Sequence, residues 1–321
     1  MSRVQDSNLN IPEKSDGQRT EFSLRYYVFL YLDLLGQREA IAKLEDFTPL
    51  LDNESAYYDA FGAAVRSVWS VRKFLEARLT NGMAAAHAST AYPKLEPVFQ
   101  MFSDTVIVYF PWNDNNPNAF VALDTLLVAT AETMIFALAN EVPVRGGIDV
   151  HIATDFSSQT RAENSSGAIR HGGDLWGPAP KRAYELAENN HNYMRIRVGE
   201  GVRAMANKLA EWIGQQVISD PWRAAELKPA REPAKRAVDL IAPDPVDELL
   251  IVDYLGRALA DSLSVETRQL IVRAVAFGRR EHERFRLDAN PHGVADKYER
   301  FLRYAEARRV PHGIVPALAG G

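Results

Sequence analysis

Apolar side chains recur along this chain in two rhythms, and the changes of rhythm mark out its elements. The near-continuous run "YVFLYLDLLGQ" at 27–37 predicts a strand over about 24–34 that ends in a carboxylate, Asp33. From about 55 to 80, Phe61, Val65, Val68, Leu75 and Leu79 fall at three-and-four spacing and predict a helix. "TNGMAAAHASTAYPKLEP" predicts a loop, because Asn-Gly and two prolines punctuate it. Two short apolar runs, 98–102 and 105–110, hinge at Ser103-Asp104 and predict a hairpin closed by "PWNDNNPN". A long apolar segment at about 118–140 predicts a buried helix. Asp124, Glu132 and three threonines interrupt it, so no membrane span is expected.

Farther on, "VPVRGGIDVHIA" predicts a strand, and the polar stretch "TDFSSQTRAENSSGAIRHGG" leads to "DLWGPAPKRAYELAENN", where a turn opens a helix at about 179–189. "YMRIRVGEG" predicts a short strand, "VRAMANKLAEWIGQ" a helix, 220–246 a Pro-rich polar loop, "ELLIVDYLG" a last strand, and 262–309 helices. The expected organisation is a flexible tail at 1–22, one domain at 23–260 and a C-terminal helical extension at 261–321. The central order is β-α-β-β-α-β, a mixed α/β (α+β) class with a ferredoxin-like core. In that arrangement the end of the first strand lies beside the hairpin, so Asp33 and Asp104 meet.

Composition narrows the chemistry. With 321 residues, 46% hydrophobic, the chain can bury a substantial core. Its net charge of −5 does not suggest attraction to nucleic acid or to an anionic membrane. There is no cysteine, which excludes disulfides, zinc ribbons and thiol nucleophiles and leaves oxygen and nitrogen as metal donors. The N-terminus has no apolar signal-like region, and a cytoplasmic location is expected.

Two carboxylates at one end of an apolar sheet repel each other and resist ionisation unless a cation joins them. Hard carboxylate oxygens suit Mg²⁺ or Mn²⁺, and two such ions can clamp an in-line displacement at phosphorus. After Asp33 the chain turns through Leu34, Leu35 and Gly36, whose backbone N–H groups are candidates to cradle phosphate oxygens. One such aspartate alone is most often a turn cap; two at these places favour a site.

Four motifs then resemble class III nucleotidyl cyclases, the superfamily of adenylate and guanylate cyclases. They are "LYLDLLGQ", "MFSDTVIVYF", Arg145-Gly146-Gly147-Ile148 and Asp174-Leu175-Trp176-Gly177, in the family's order. The resemblance implies a cyclase domain with two Mn²⁺ or Mg²⁺ per site on Asp33, Asp104 and the Leu34 carbonyl. It also implies a head-to-tail homodimer, with metals on one chain and the transition-state cation on the other. The family's adenine-reading lysine is Gln100 here. Its transition-state asparagine and arginine positions are Lys181 and Glu185, with Arg182 adjacent, so Lys181 or Arg182 is the catalytic cation or the copy is impaired. An ordinary i,i+4 pair is the plain alternative for Lys181 and Glu185.

The wording "GPAPKRAYELAE", with the missing purine-reading lysine, is similar to the pyrimidine cyclases of bacterial Pycsar antiphage systems. That implies cyclic UMP or cyclic CMP made from UTP or CTP, and a separate cyclic-nucleotide-gated effector. Gln100 offers a donor and an acceptor, and Asp174 an acceptor, to a pyrimidine edge; UTP is favoured over CTP. Tyr57, Tyr58 and Trp69 could fill the space of a purine's second ring, though aromatics at such spacing more often belong to a core. His171 and the basic run "RREHERFR" at 279–286 are read as solvated. Alternatives are a class III adenylate or guanylate cyclase, an inactive nucleotide-binding module, and an RNA-binding or polymerase-palm sheet. The last would need basic and aromatic residues on the sheet face, where the strands carry few.

Overall fold

The computed structural model describes residues 8–9, 22–35, 54–89, 94–112, 118–156, 169–171, 174–188, 193–219, 221–260, 263, 265–287 and 293–308. Strands β1 (Asn8–Leu9) and β2 (Phe22–Ser23) pair with each other. The core begins with β3 (Arg25–Leu34), α1 (Glu54–Ser89), β4 (Val98–Phe102), β5 (Thr105–Pro111), α2 (Asn118–Ala139) and β6 (Val144–Asp155). These four strands stand in the order β6-β3-β5-β4 with antiparallel neighbours, which is the split β-α-β-β-α-β arrangement.

The apolar run of β3 is buried on both faces. Val28, Leu30, Leu32 and Leu34 point into a large core under α1 and α2. Tyr27 and Phe29 point to the opposite face, where α3 (Pro178–Glu188) lies over them with Ala179 and Ala183. Helix α2 is long and apolar enough to cross a membrane, but 83% of its most apolar window is packed inside the protein.

The sheet continues through β9 (Ile196–Val198), parallel to β6, and then β11 (Leu250–Val252) and β10 (Ile241–Pro243). At the other edge β7 (Arg170–His171) runs parallel to β4, and β8 (Leu175–Trp176) pairs with β6. His171, expected in a loop, is therefore in a short strand.

Two expected loops are helical. Helix α1 runs on through Asn81-Gly82 to Ser89, because Met83 and Ala86 continue the buried stripe of Leu75 and Leu79. Gly82 is a close approach: a Cβ there would lie 2.5 Å from Thr125 Cγ2 on α2. After α4 (Glu200–Ser219), the Pro-rich segment forms α5 (Pro221–Leu240). Pro229 and Pro233 are inside α5, where a proline costs about 3 kcal/mol. Burial of Leu227, Ala230, Ala234, Ala237 and Leu240 offsets that cost.

Behind β9, the Arg195 guanidinium is only 1% exposed and donates to Asp244 at 2.6 Å and Asp247 at 2.8 Å. Tyr193 stacks its ring against Arg195 and donates its hydroxyl to Asp244. This cluster fastens the β10–β11 hairpin to the sheet. After the short α6 (Arg257–Ala260), α7 (Val265–Leu287) and α8 (Val294–Ala307) send Phe277, Tyr298 and Phe301 into the main core.

Candidate phosphoryl-transfer site

Asp33 and Asp104 come together because β3 and β5 are neighbours. Asp33 pairs in register with Thr105, and the Leu34 N–H donates to the Asp104 carbonyl at 3.1 Å. Asp104 lies in the two-residue turn between β4 and β5, whose first residue, Ser103, has φ 46°. On the other side of β3, Asp33 is in register with Arg145 of β6, and Arg145 Nε donates to Asp33 Oδ2 at 3.0 Å. The same guanidinium donates to Glu188 at the end of α3.

Burial pushes the Asp33 carboxyl above the ordinary carboxylate range. Arg145 opposes the shift, and the charges of Asp104 and Glu188 reinforce it. Lys297 of α8 reaches the same cluster; burial lowers its pKa, Arg145 adds to that, and Glu188 offsets part of it. Arg72 of α1 lies within the electrostatic reach of Asp104, and burial lowers its pKa against that carboxylate's pull. None of Arg72, Glu188 or Lys297 stood out in the sequence.

The donor set fits a divalent cation. Arg145 engages Oδ2 of Asp33, and among the described residues Oδ1 accepts no hydrogen bond. Among the described residues no group of three or more His, Cys, Asp or Glu converges as a cage. One or two carboxylates completed by phosphate oxygens and water is the usual way Mg²⁺ is held. The phosphate cradle expected of the following turn is altered. The Leu34 N–H is spent on Asp104, and the Leu35 N–H donates to the Pro143 carbonyl at 2.7 Å, so neither is open; Gly36 lies outside the described residues.

The other candidate residues occupy the α3 face of the sheet. Gln100 follows Val98 by two residues on β4 and pairs in register with Ile107, which places it on that face. Asp174 is exposed just before β8, its carbonyl accepting the Phe156 N–H at 2.8 Å. Gly177 turns the chain into α3 at φ 143°, a conformation open to glycine. Gly147 lets α3 lie against the sheet: a Cβ there would sit 2.1 Å from the Ala183 carbonyl oxygen.

On α3, Lys181 and Glu185 face solvent as an i,i+4 pair at 3.5 Å. Arg182 Nε donates to Asp149 Oδ2 at 3.1 Å. Asp149 pairs with Phe29, four residues along from Asp33, a separation of about 13 Å on an extended strand. Lys181, Arg182 and Glu185 instead line an open cleft of about 730 Å³ with Trp176, Pro178 and Pro180. Within one chain the structure joins Asp33 to Asp104 and holds Lys181 and Arg182 apart from them.

Trp69 is 59% exposed rather than core, and the side chains of Tyr57 and Tyr58 lie outside the described set. The basic run on α7 is a face of ion pairs, including Arg280 with Glu141 and Arg284 with Glu281.

No family model matches the chain, and no curated protein matches it in sequence. Among solved structures it is similar to the adenylyl cyclase CyaB from P. aeruginosa, at 13% identity and a TM-score of 0.34, over 59% of this chain and 84% of that one. It is also similar to a bacterial light-regulated adenylyl cyclase, at 14% identity and a TM-score of 0.33, over 58% of this chain. The match spans 46% of that second protein, less than half its length.

Proposed function

We propose that the protein is a nucleotide cyclase of the class III type, converting a pyrimidine nucleoside triphosphate, UTP ahead of CTP, into its 3′,5′-cyclic monophosphate and pyrophosphate. The observation that carries this reading is the meeting of Asp33 and Asp104 at adjacent strand ends, with the Asp33 carboxyl held above its ordinary range. An isolated turn cap has no use for a second, half-buried carboxylate beside it.

When bound, Mn²⁺ or Mg²⁺ supplies charge neutralisation at the phosphates and at the attacking oxygen. Asp33, Asp104 and the Leu34 carbonyl would hold it. The ribose 3′-oxygen forms a bond to the α-phosphorus as the bond to the bridging oxygen of the pyrophosphate breaks. The 3′-hydroxyl proton leaves to solvent, and pyrophosphate departs with the bonding pair. Arg145, between Asp33 and Glu188, fixes the carboxylate's orientation. Gln100 and Asp174 meet the base edge, and Lys181 offers the positive charge that developing phosphate charge needs.

The placement of Lys181 in the exposed cleft with Trp176 and Arg182, paired to Glu185 rather than to Asp33, supports a homodimer in which Lys181 of one chain completes the acidic site of another. The α3 face carries the apolar surface for it, with Phe102, Trp176 and Tyr184 all exposed. The separate effector and the antiphage role rest on motif wording. A second reading, a nucleotide-binding module without turnover, is favoured by one observation: Glu185 neutralises Lys181 where an arginine would be wanted.

Incubation with ATP, GTP, CTP and UTP separately, with Mn²⁺ and product identification by mass, tests the proposal. Cyclic UMP or cyclic CMP is the expected product. A cyclic purine would discard the pyrimidine assignment, and tight binding without product would favour the silent module.

A further inference from the structure

We propose that Arg72 is a phosphate-binding residue, its guanidinium receiving non-bridging oxygens of the substrate's polyphosphate chain on the Asp104 side of the site. The proposal rests on the reading of Asp33 and Asp104 as a nucleotide-handling pair.

The position of Arg72 is fixed by its neighbours. Val71 and Leu75 are fully buried in the main core, so α1 cannot rotate, and Arg72 is held at the flank of the buried stripe. Its Nε and Nη2 are both shielded from solvent and have no hydrogen-bond partner. Among the described residues Asp104 is the charge that acts on it, yet it accepts neither hydrogen.

Those two nitrogens are the edge that makes a two-point contact. Arg236 uses the same pair on Asp124, with Nε to Oδ1 at 2.8 Å and Nη2 to Oδ2 at 2.5 Å. Arg145 divides the same atoms between Asp33 and Glu188. Arg195, only 1% exposed, donates from Nη1 to both Asp244 and Asp247. A shielded fork with both of these donors empty is therefore an exception among the described residues. Arg197 Nε is also unpartnered, but its neighbours are Arg195 and Asp247, away from the acidic pair.

The ligand that satisfies the fork must present two anionic oxygens on one centre, which a phosphoryl group does. A carboxylate from the protein would serve equally, but Asp104, the one among the described residues whose charge acts on Arg72, is the residue proposed to face the metal. A guanidinium beside that carboxylate, with donors free, binds the anion the metal also binds. Lysine could replace the charge but not the planar fork.

The test uses inorganic tripolyphosphate as the probe, titrated calorimetrically into the purified full chain with excess Mn²⁺, for wild type, R72Q, R72K and D104N. The melting temperature without probe is read alongside. Arg72 as a contact predicts roughly tenfold or greater loss of affinity in R72Q, with R72K intermediate. It also predicts an unliganded melting temperature equal to wild type or higher, since a shielded unpartnered cation is removed. Equal affinity of wild type and R72Q, with loss in D104N, would overturn the role of Arg72 and leave the site reading intact. No binding by wild type would overturn both. Should R72Q not fold, R72K decides: wild-type affinity in R72K would overturn the role of the fork.

Discussion

Arg145 and Asp33 face each other across β6 and β3 as register partners, and Arg145 Nε donates to Asp33 Oδ2 at 3.0 Å. The arginine lowers the cost of the buried carboxylate without cancelling it, since the Asp33 pKa is still raised. The folded state therefore favours the protonated acid. Stability attributable to Asp33 falls as pH rises from the ordinary value of 3.8 through the raised one. Asp33→Asn, neutral at every pH, is expected to melt no lower than wild type in metal-free buffer at neutral pH. Added Mn²⁺ is expected to raise the melting temperature of wild type and not of the variant. Thermal melts of both proteins with and without Mn²⁺ check this; a variant that unfolds would assign Asp33 a structural role.

The buried cluster around Arg195 behaves in the opposite sense. Burial alone would raise the Asp247 pKa, but the hydrogen bond and charge of Arg195, with the Leu249 N–H, outweigh it and hold the acid below its ordinary value. That stabilisation is complete above pH 3.8 and is lost as pH falls through the lowered value. Asp247→Asn is expected to flatten this acid limb in a pH series of denaturation midpoints. Arg195→Met strands Asp244 in the interior and is expected to cost about 3–5 kcal/mol, read from urea unfolding.

Much of the site was legible because strand ends can be counted. The apolar run before Asp33 and the two runs flanking Ser103-Asp104 place both carboxylates at one end of the sheet once β-α-β-β-α-β is recognised. The misread segments have a common cause: Gly82, Pro229 and Pro233 are local breakers, and helix packing against Thr125 and the α5 stripe overrode them. Arg72, Glu188 and Lys297 left no local mark. Arg72 flanks a helical stripe much as Arg66 and Arg78 do; only its level along α1 relative to Asp104 distinguishes it, and tertiary packing sets that level.

Gly147 should be the least tolerant glycine for the α3 face. A Cβ would stand 2.1 Å from a backbone carbonyl oxygen of Ala183, which cannot rotate away. Gly147→Ala is expected to displace α3 and to cost about 1–3 kcal/mol in chemical denaturation. Turnover should fall further than stability, because Lys181 moves with the helix. Unchanged stability would contradict the packing.

A site shared between two chains predicts complementation. Asp33→Asn and Lys181→Ala should each be inactive alone. Mixed in equal amounts and allowed to exchange, they should recover about a quarter of wild-type activity, since half the dimers are mixed and each has one intact site. No recovery, with mixed dimers verified by mass, would place the catalytic cation within the chain that carries Asp33.

Asp33 and Asp104 are proposed to form one phosphoryl-transfer site. The direct measurement is the stoichiometry of cyclic nucleotide and pyrophosphate formed from UTP with Mn²⁺ by wild type, Asp33→Asn and Asp104→Asn, each verified as folded. The two products are expected in equal amounts from wild type and neither from the two variants. Turnover in either folded variant at the wild-type rate would contradict that site.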